Sequence, residues 1–370
     1  MASRSIASDL NLAYERCADY LISRNLMPAS TLRTLAAELG LSRATVSEAL
    51  RGSPRVKPAT AERVRLAAAR AGYHHNPLTG AVMSQLRRSK GQIFRGVLAV
   101  LELVPPEQPR HGARFSAALM EGITTRAAEL GFKVERFVLG TLGLRLQRLD
   151  AILLTRRIQG VLLLPASGFP DLAELNWSRY AAVYVDYYID HPPLHCVCSD
   201  HYRSMVALMH TLHLRGYRRP GLIMETATDL RLHYRWEGAF LAMQQTLPNL
   251  GRVPILRRDS ITESDFARWF KHYRPDVVLG HPLEAMDWLR ACGAKLGESH
   301  GFVCLNALRT NGECAAVDFQ PKLLGVRATE LVVGQLLHNE YGVPACASLA
   351  TLPARMVEGP TLRPPSPRSA

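Results

Sequence analysis

Groups that can bind phosphate are concentrated near the start of this chain. Between residues 30 and 95 there are 12 Arg or Lys and 3 Glu, a surplus of nine positive charges. The rest of the 370 residues carries 33 basic and 29 acidic side chains and is nearly balanced. Guanidinium and ammonium groups neutralise backbone phosphates, and a guanidinium can also donate two hydrogen bonds to a guanine. The net charge of +13 therefore predicts a polyanionic partner, nucleic acid first, that binds the N-terminal region.

Two short helices and a turn must position these groups. The segment "STLRTLAAELG" has one apolar helical face, and Gly40 can adopt a positive φ and end the helix. Ser42 can cap the next helix through its side-chain oxygen. In that second helix we expect Val46, Ala49 and Leu50 to face inward, and Arg43, Ala44, Ser47 and Glu48 to face outward.

A third helix completes this unit. Pro58 is suited to a first helical turn, and the pattern continues to Gly72 with Val64, Ala68 and Ala71 inward. Three short helices with a glycine turn between the first two predict a helix-turn-helix domain over residues 30–75. In such a domain the early residues of the second helix reach the edges of the bases.

Beyond residue 92 the pattern changes to alternating strands and helices. "GVLAVLEL" is a run typical of a buried strand, and a periodic helix is predicted over about residues 114–130, where Gly131 ends it. "FKVERFVL" is the next strand. This alternation predicts an α/β fold with doubly wound parallel sheets, and its length predicts two lobes. Such sheets bind ligands at the carboxyl ends of their strands.

The chain therefore divides into five predicted regions. They are an amphipathic helical extension (1–29), the helix-turn-helix domain (30–75), a linker (76–92), a two-lobed α/β domain (93–359) and a disordered Pro/Ser-rich tail (360–370).

A family resemblance is carried by the basic unit. "SRATVS", "RGSPRVKPAT" and the terminal "GYHHNP", in this order over residues 31–77, resemble the DNA-binding domain of the LacI family of bacterial transcription regulators. Residues 93–359 resemble, more loosely, that family's sensor, which is similar to periplasmic sugar-binding proteins. The resemblance implies a homodimer on a pseudo-palindromic double-stranded DNA operator, repression rather than activation, and a small polar effector such as a carbohydrate.

The same resemblance implies which residues contact DNA. Arg43 and Ala44 occupy the main reading positions, where Arg can pair with guanine and Ala can touch a thymine methyl. Glu48 departs from the family pattern, and it either accepts from cytosine N4 or forms a salt bridge with Arg51 or Arg55. Further contacts to DNA are expected from Thr31, Ser42, Thr45, Ser47, Arg51, Arg55, Thr60, Asn76, Met83 and Arg87.

The linker resembles the family's hinge helix, which orders on the operator and inserts an apolar side chain into the minor groove. The alignment of "AVMSQLR" places Leu86 at the wedge position and Met83 one turn before it. The alternative is an ordinary linker whose Leu86 packs on the sensor.

For the sensor, the resemblance places Asp186, Arg235, His281 and Asn306 in a ligand cleft. Asp186 and Arg235 suit the hydroxyls of a sugar, because one accepts and the other donates several hydrogen bonds. His281, Pro282 and Asn306 depart from the family pattern, which leaves the ligand class open. Each of the four can instead belong to a surface or inter-lobe interaction.

Other classes of protein lack their sequence signatures here. There is no G-x-x-x-x-G-K-[ST] loop, no G-x-G-x-x-G after a strand and no nucleophile–base pattern, so we expect no enzyme and no cofactor. The seven cysteines have no zinc spacing, and we expect no metal; the side chains of Cys196 and Cys198 are predicted on opposite faces of a strand. Without a signal peptide or an 18-residue apolar run, we expect a cytoplasmic protein with no membrane partner. The remaining alternatives are a regulator with a protein partner or no effector, and a sugar-binding transport protein.

Overall fold

The computed structural model describes residues 32–50, 53, 56–71, 94–103, 112–139, 145–165, 172–186, 189 and 191–364. Predictions for residues 1–29 and 76–92 lie outside this part of the chain. So do those for seven of the expected DNA contacts: Thr31, Arg51, Arg55, Asn76, Met83, Leu86 and Arg87.

The N-terminal unit consists of three helices, α1 (Leu32–Leu39), α2 (Arg43–Leu50) and α3 (Pro58–Arg70). Its buried core comprises Leu35, Ala36, Val46, Ala49, Ala61, Val64, Ala67 and Ala68. The predicted inward faces of α1 and α2 are therefore confirmed where their side chains are described. Ala71 was wrongly expected in the core, because the helix ends one residue earlier and Ala71 lies exposed at its C-cap.

The first lobe begins with a parallel sheet and its helices. In chain order these are β1 (Gly96–Leu103), α4 (Ala113–Glu129), β2 (Phe132–Leu139), α5 (Leu146–Thr155), β3 (Gly160–Leu163), β4 (Ala181–Val185) and β5 (His195–Asp200). The central strands β3 and β4 are buried along their whole length, which is why their sequences are continuously apolar rather than alternating.

The second lobe repeats the arrangement. It contains α6 (His201–Leu214), β6 (Pro220–Glu225), α7 (Thr226–Arg231), α8 (Arg235–Thr246), β7 (Leu256–Arg258), α9 (Glu263–Tyr273), β8 (Val277–Gly280), α10 (Ala285–Ala291), β9 (Gly301–Cys304) and β10 (Ala315–Asp318). The chain then returns through α11 (Pro321–His338) and β11 (Leu349–Pro353) to the first lobe, and ends with β12 (Arg355–Val357) in the second.

Each lobe contains one six-stranded sheet. The strand orders are β11-β5-β4-β3-β1-β2 and β12-β10-β9-β8-β6-β7, and only β12 pairs antiparallel to its neighbour. The described chain crosses between the lobes after β5, β10 and β11, in each case from the carboxyl end of a strand. The carboxyl ends of the two sheets therefore face each other across a cleft, as the sequence predicts for a two-lobed sensor.

Side-chain hydrogen bonds join the three crossing segments. Thr351 donates to Asp200 Oδ2 (3.2 Å), the Ala354 N–H donates to Ser204 Oγ (3.1 Å), and Gln320 Nε2 donates to the Pro353 carbonyl (3.0 Å). The three crossings are therefore connected to one another by hydrogen bonds.

The expectation of disorder from residue 360 onward is wrong for the first five residues. Thr361 and Leu362 are buried in the second lobe. The Phe302 N–H donates to the Thr361 carbonyl (3.1 Å), and the Ala315 N–H donates to Thr361 Oγ1 (2.9 Å). The Pro/Ser-rich composition predicted disorder, but Leu362 is an apolar side chain that packs in the core of this lobe, and the Thr361 hydroxyl accepts a backbone hydrogen bond. Among the described helices, none is both long and apolar enough to cross a membrane.

Candidate nucleic-acid interface and effector cleft

The start of α2 is built by a glycine turn and a serine cap. Gly40 has φ +65°, which a residue without Cβ adopts readily, and α1 ends there. Ser42 Oγ accepts a hydrogen bond from the Thr45 N–H (3.1 Å) and lies 2.9 Å from Thr45 Oγ1. The predicted cap is therefore confirmed, and it fixes the first turn of the helix that begins with Arg43 and Ala44.

The remaining polar positions of this unit are accessible to a partner. Ser47, Glu48 and Thr60 are half-buried, and Ser42 is exposed. The Glu48 carbonyl accepts from the Ser53 N–H (3.0 Å), which closes the end of α2. Both proposed partners of the Glu48 carboxylate, Arg51 and Arg55, lie outside the described residues, so the choice between a salt bridge and a cytosine contact stays a prediction. Lys57 at the N-cap of α3 is solvent-exposed, and so are Arg63, Arg65 and Arg70 along that helix.

In the cleft, Asp186 directly follows β4 and has a positive φ of +59°, a conformation that Asp tolerates better than most residues. Its Oδ1 accepts from the Ser199 N–H (2.9 Å) and from the Ser199 hydroxyl. Its own N–H donates to the Val197 carbonyl (2.7 Å). The carboxylate is thus held in a fixed position at the carboxyl end of β5.

Arg235 approaches the same end of β5 from the second lobe. It is the first residue of α8, and its Nη1 lies 3.4 Å from Cys198 Sγ. A hydrogen bond with Cys196 lowers the pKa of the Cys198 thiol, burial opposes this effect, and Arg235 adds to the lowering. Asp186 and Arg235 therefore meet neighbouring residues of one strand, as expected for two groups that serve one cleft.

The prediction that Cys196 and Cys198 face opposite sides of the strand is wrong. Side chains in a strand alternate, so residues two apart share a face. Both thiols are buried in the same cluster of the first lobe, whereas the intervening Val197 packs on the other side of the sheet. Cys196 and Cys198 therefore lie in the same buried cluster, and Cys198 is the one whose sulfur contacts Arg235.

His281 and Asn306 occupy less direct positions. His281 follows β8, and its ring lies 6.5 Å from the ring of Trp236 in a T-shaped arrangement. Asn306 follows β9, and its Oδ1 accepts from the Leu308 N–H (3.0 Å) to cap a short 3₁₀ turn. Asn306 therefore caps local structure, and its contact with a ligand stays a prediction.

Sequence reasoning missed a cluster of aromatic rings near the lobe crossings and a second hydrogen-bonded contact between the lobes. His201, Trp236 and Phe319 form one ring cluster, with centroid distances of 4.9 to 5.7 Å. At a separate point, Arg114 Nη1 at the start of α4 lies 3.2 Å from Asn311 Oδ1 and 3.4 Å from the Leu308 carbonyl. His201 and Phe319 adjoin lobe crossings, but crossings leave no recognisable pattern in a single sequence.

Comparisons with known proteins agree with this geometry. Residues 31–76 match the family model described as "Bacterial regulatory proteins, lacI family". The curated HTH-type transcriptional regulator CelR of Thermobifida fusca is 32% identical over 136 residues, which are 36% of this chain and 36% of that protein. The match thus spans about a third of the relative's length.

Two solved structures share the fold over 90% of this chain and 99% of their own. They are a transcriptional regulator CelR–cellobiose complex (TM-score 0.54, 20% identity) and a lac repressor dimer bound to operator and the anti-inducer ONPF (TM-score 0.52, 19% identity).

Fold and site together define a helix-turn-helix protein with a two-lobed sensor that resembles periplasmic binding proteins. Its helix-turn-helix domain, over residues 31–76, is the part that matches the lacI family of bacterial regulatory proteins.

Proposed function

We propose that this protein is a dimeric, sequence-specific DNA-binding transcriptional repressor that responds to a small polar effector. The observation that supports DNA binding most directly is the Ser42-capped α2 behind the Gly40 turn, within the unit that matches the lacI-family model. A protein with two-fold symmetry reads a two-fold site, so the operator is a pseudo-palindrome. The role is one of binding, not of catalysis.

DNA affinity should reside in residues 30–92 and should fall steeply with salt, because several phosphates are neutralised. A gel shift on a selected operator tests this with the full chain and with a variant that lacks residues 1–92. Loss of binding in the truncated protein supports the proposal, and retained binding refutes it.

Within the linker, Leu86 is proposed as the minor-groove wedge. Leu86→Ala should then reduce operator affinity and DNA bending together, since an inserted apolar side chain is what kinks the duplex. Bend angles measured by fluorescence transfer decide the matter: an unchanged angle favours a linker whose Leu86 packs on the sensor.

The effector is proposed to bind in the cleft through Asp186 and Arg235. The fixed carboxylate accepts from adjacent hydroxyls, and the guanidinium donates to two acceptors at once. The two structurally similar regulators described with cellobiose and with ONPF favour a carbohydrate-like molecule. A ligand that prefers the closed lobes shifts the equilibrium between sensor states, and only that difference in affinity alters DNA binding.

Calorimetry against mono- and disaccharides, sugar acids and nucleosides tests this cleft. A ligand that binds the wild type should lose affinity in Arg235→Ala and keep it in Arg290→Ala, which removes an exposed arginine paired with Asp287 elsewhere in the same lobe. Equal binding to both variants moves the site elsewhere.

A second candidate is a regulator with a protein partner or with no effector. It is favoured by the cap that Asn306 forms, because that hydrogen bond engages the side-chain oxygen of one of the four expected ligand contacts. A broad panel without any hit supports this alternative.

A further inference from the structure

A second cavity lies in the lobe that follows the first crossing. It has a volume of about 470 Å³ and is lined by Ala267, Phe270, Lys271, Arg274, Cys292 and His300. These residues come from the C-terminal half of α9, the C-cap of α10 and the position before β9. Helices that connect parallel strands run back toward the amino ends of those strands. The cavity therefore lies at the edge of the sheet opposite to the cleft that holds Asp186 and Arg235.

The floor of this cavity is apolar. Phe270 is buried, stacks with Phe266 at a centroid distance of 5.9 Å, and has the His300 ring 5.5 Å away. Ala267 leaves space above the ring because its side chain is only a methyl group. An aromatic floor of this size suits the apolar body of a small molecule, since ligand sites commonly measure about 300–1,000 Å³.

The rim of the cavity is cationic. Lys271 and Arg274 are exposed, and within the described part of the chain neither forms an ion pair with a carboxylate. Their neighbour Arg268 differs, because it pairs with Asp265 at 2.7 Å. Asp276, whose charge acts on His300, accepts hydrogen bonds from the backbone N–H groups of the two residues that precede β6. It is therefore already engaged.

His300 completes the polar side of the site. Its Nδ1 lies 2.8 Å from Ser299 Oγ, and burial lowers the pKa of the imidazole. A neutral ring can still donate one hydrogen bond, and the Arg274 guanidinium can hold a planar or tetrahedral anion with two. Apolar floor and cationic rim thus select the same kind of molecule, one with an anionic head and an apolar body.

We propose that this cavity is a second ligand site, separate from the effector cleft, for a small organic anion of the carboxylate or phosphate-monoester class. The head binds Lys271, Arg274 and His300, and the body covers Phe270. This site is independent of DNA binding and of the identity of the cleft ligand.

The test uses the full chain and calorimetric titration with four probes. Phenyl phosphate and benzoate carry both parts of the ligand, inorganic phosphate carries the head alone, and benzyl alcohol carries the body alone. Phenyl phosphate or benzoate should bind at least about tenfold more tightly than either part, because only they contact the rim and the floor together. A preference for phenyl phosphate over benzoate identifies the phosphate-monoester class, and the reverse identifies the carboxylates.

Two sets of variants locate the binding. The double variant Lys271→Gln/Arg274→Gln should weaken binding by about tenfold or more. The control Arg268→Gln/Arg290→Gln makes the same change in net charge at paired arginines and should leave it unaltered. Ala267→Leu keeps every charge but fills the space above Phe270, and it should also abolish binding. Equal affinity in the rim variant and its control, or no binding of either amphipathic probe to folded wild-type protein, overturns the proposal.

Discussion

Ser42 offers a perturbation whose effect on DNA binding can be derived from one hydrogen bond. Its Oγ accepts from the Thr45 N–H, one of the donors that have no partner within the first turn of α2. Replacement of a capping serine by alanine costs about 1 kcal/mol, whereas replacement by glycine costs only a few tenths. The core of this unit contains eight buried residues, seven of them alanines or valines. So small a core leaves little reserve of stability.

Ser42→Ala should therefore fray the turn that carries Arg43 and Ala44, and operator affinity should fall by up to about fivefold, the equivalent of 1 kcal/mol. Gel-shift titration measures the affinity, and hydrogen exchange at the Thr45 amide measures the fraying. Ser42→Gly should stay close to the wild type in both measurements.

The glycine variant separates capping from direct contact. If the Ser42 hydroxyl instead acts by binding a phosphate, Ala and Gly remove it equally and should weaken binding equally. Equal losses in the two variants, with unchanged exchange at Thr45, would refute the capping argument.

Three further outcomes follow from the sensor. Burial raises the pKa of Asp229 above its value in the unfolded chain, so ionisation of Asp229 destabilises the folded state as pH rises. Asp229→Asn removes this ionisation and should raise the melting temperature at pH 7. The gain should vanish toward about pH 4, where Asp229 is protonated in the folded chain. A Cβ at Gly325 would lie 2.3 Å from a backbone oxygen of α4. Gly325→Ala should therefore lower the free energy of unfolding, measured with denaturant, by about 1–3 kcal/mol. The control Gly334→Ala, on the same helix, has open space around its new methyl group and should not destabilise the protein. Arg114→Ala or Asn311→Ala removes an inter-lobe hydrogen bond and should increase the radius of gyration in small-angle scattering, with no added effect in the double variant; additive increases would contradict a shared contact.

Local patterns predicted the elements of this fold well. The helix of α4 was expected over 114–130 and is observed over Ala113–Glu129, and the strand β2 has the expected bounds. These elements have strong periodicity or continuous apolar runs, and glycines at positive φ end the helices, as at Gly131 and Gly216. The prediction that Ala71 is buried was wrong because an alanine at the C-cap gives no signal of where the helix ends.

The candidate site was less accessible to sequence reasoning. The family resemblance predicted that Asp186 and Arg235 lie in the cleft. The structure places Asp186 directly after β4 and Arg235 at the start of α8, and their part in ligand binding stays a prediction. Ser199 donates a hydrogen bond to Asp186, and Cys198 contacts Arg235. Both contacts depend on which strands are neighbours in the sheet. That pairing arises from tertiary packing, and the sequence does not encode it for residues that are 13 or 37 positions apart. The cap formed by Asn306 is different, because it spans only two residues and Asn is a favoured N-cap residue.

The central claim, that the capped helix reads DNA, is tested most directly by selection of bound sequences from a random pool, with the wild type and Arg43→Ala in parallel. The account predicts a two-fold symmetric consensus for the wild type. In Arg43→Ala, one guanine-containing position in each half-site should lose its preference, at a cost of about 1–3 kcal/mol. Failure of the wild type to enrich any sequence, or an identical consensus from both proteins, would contradict the account.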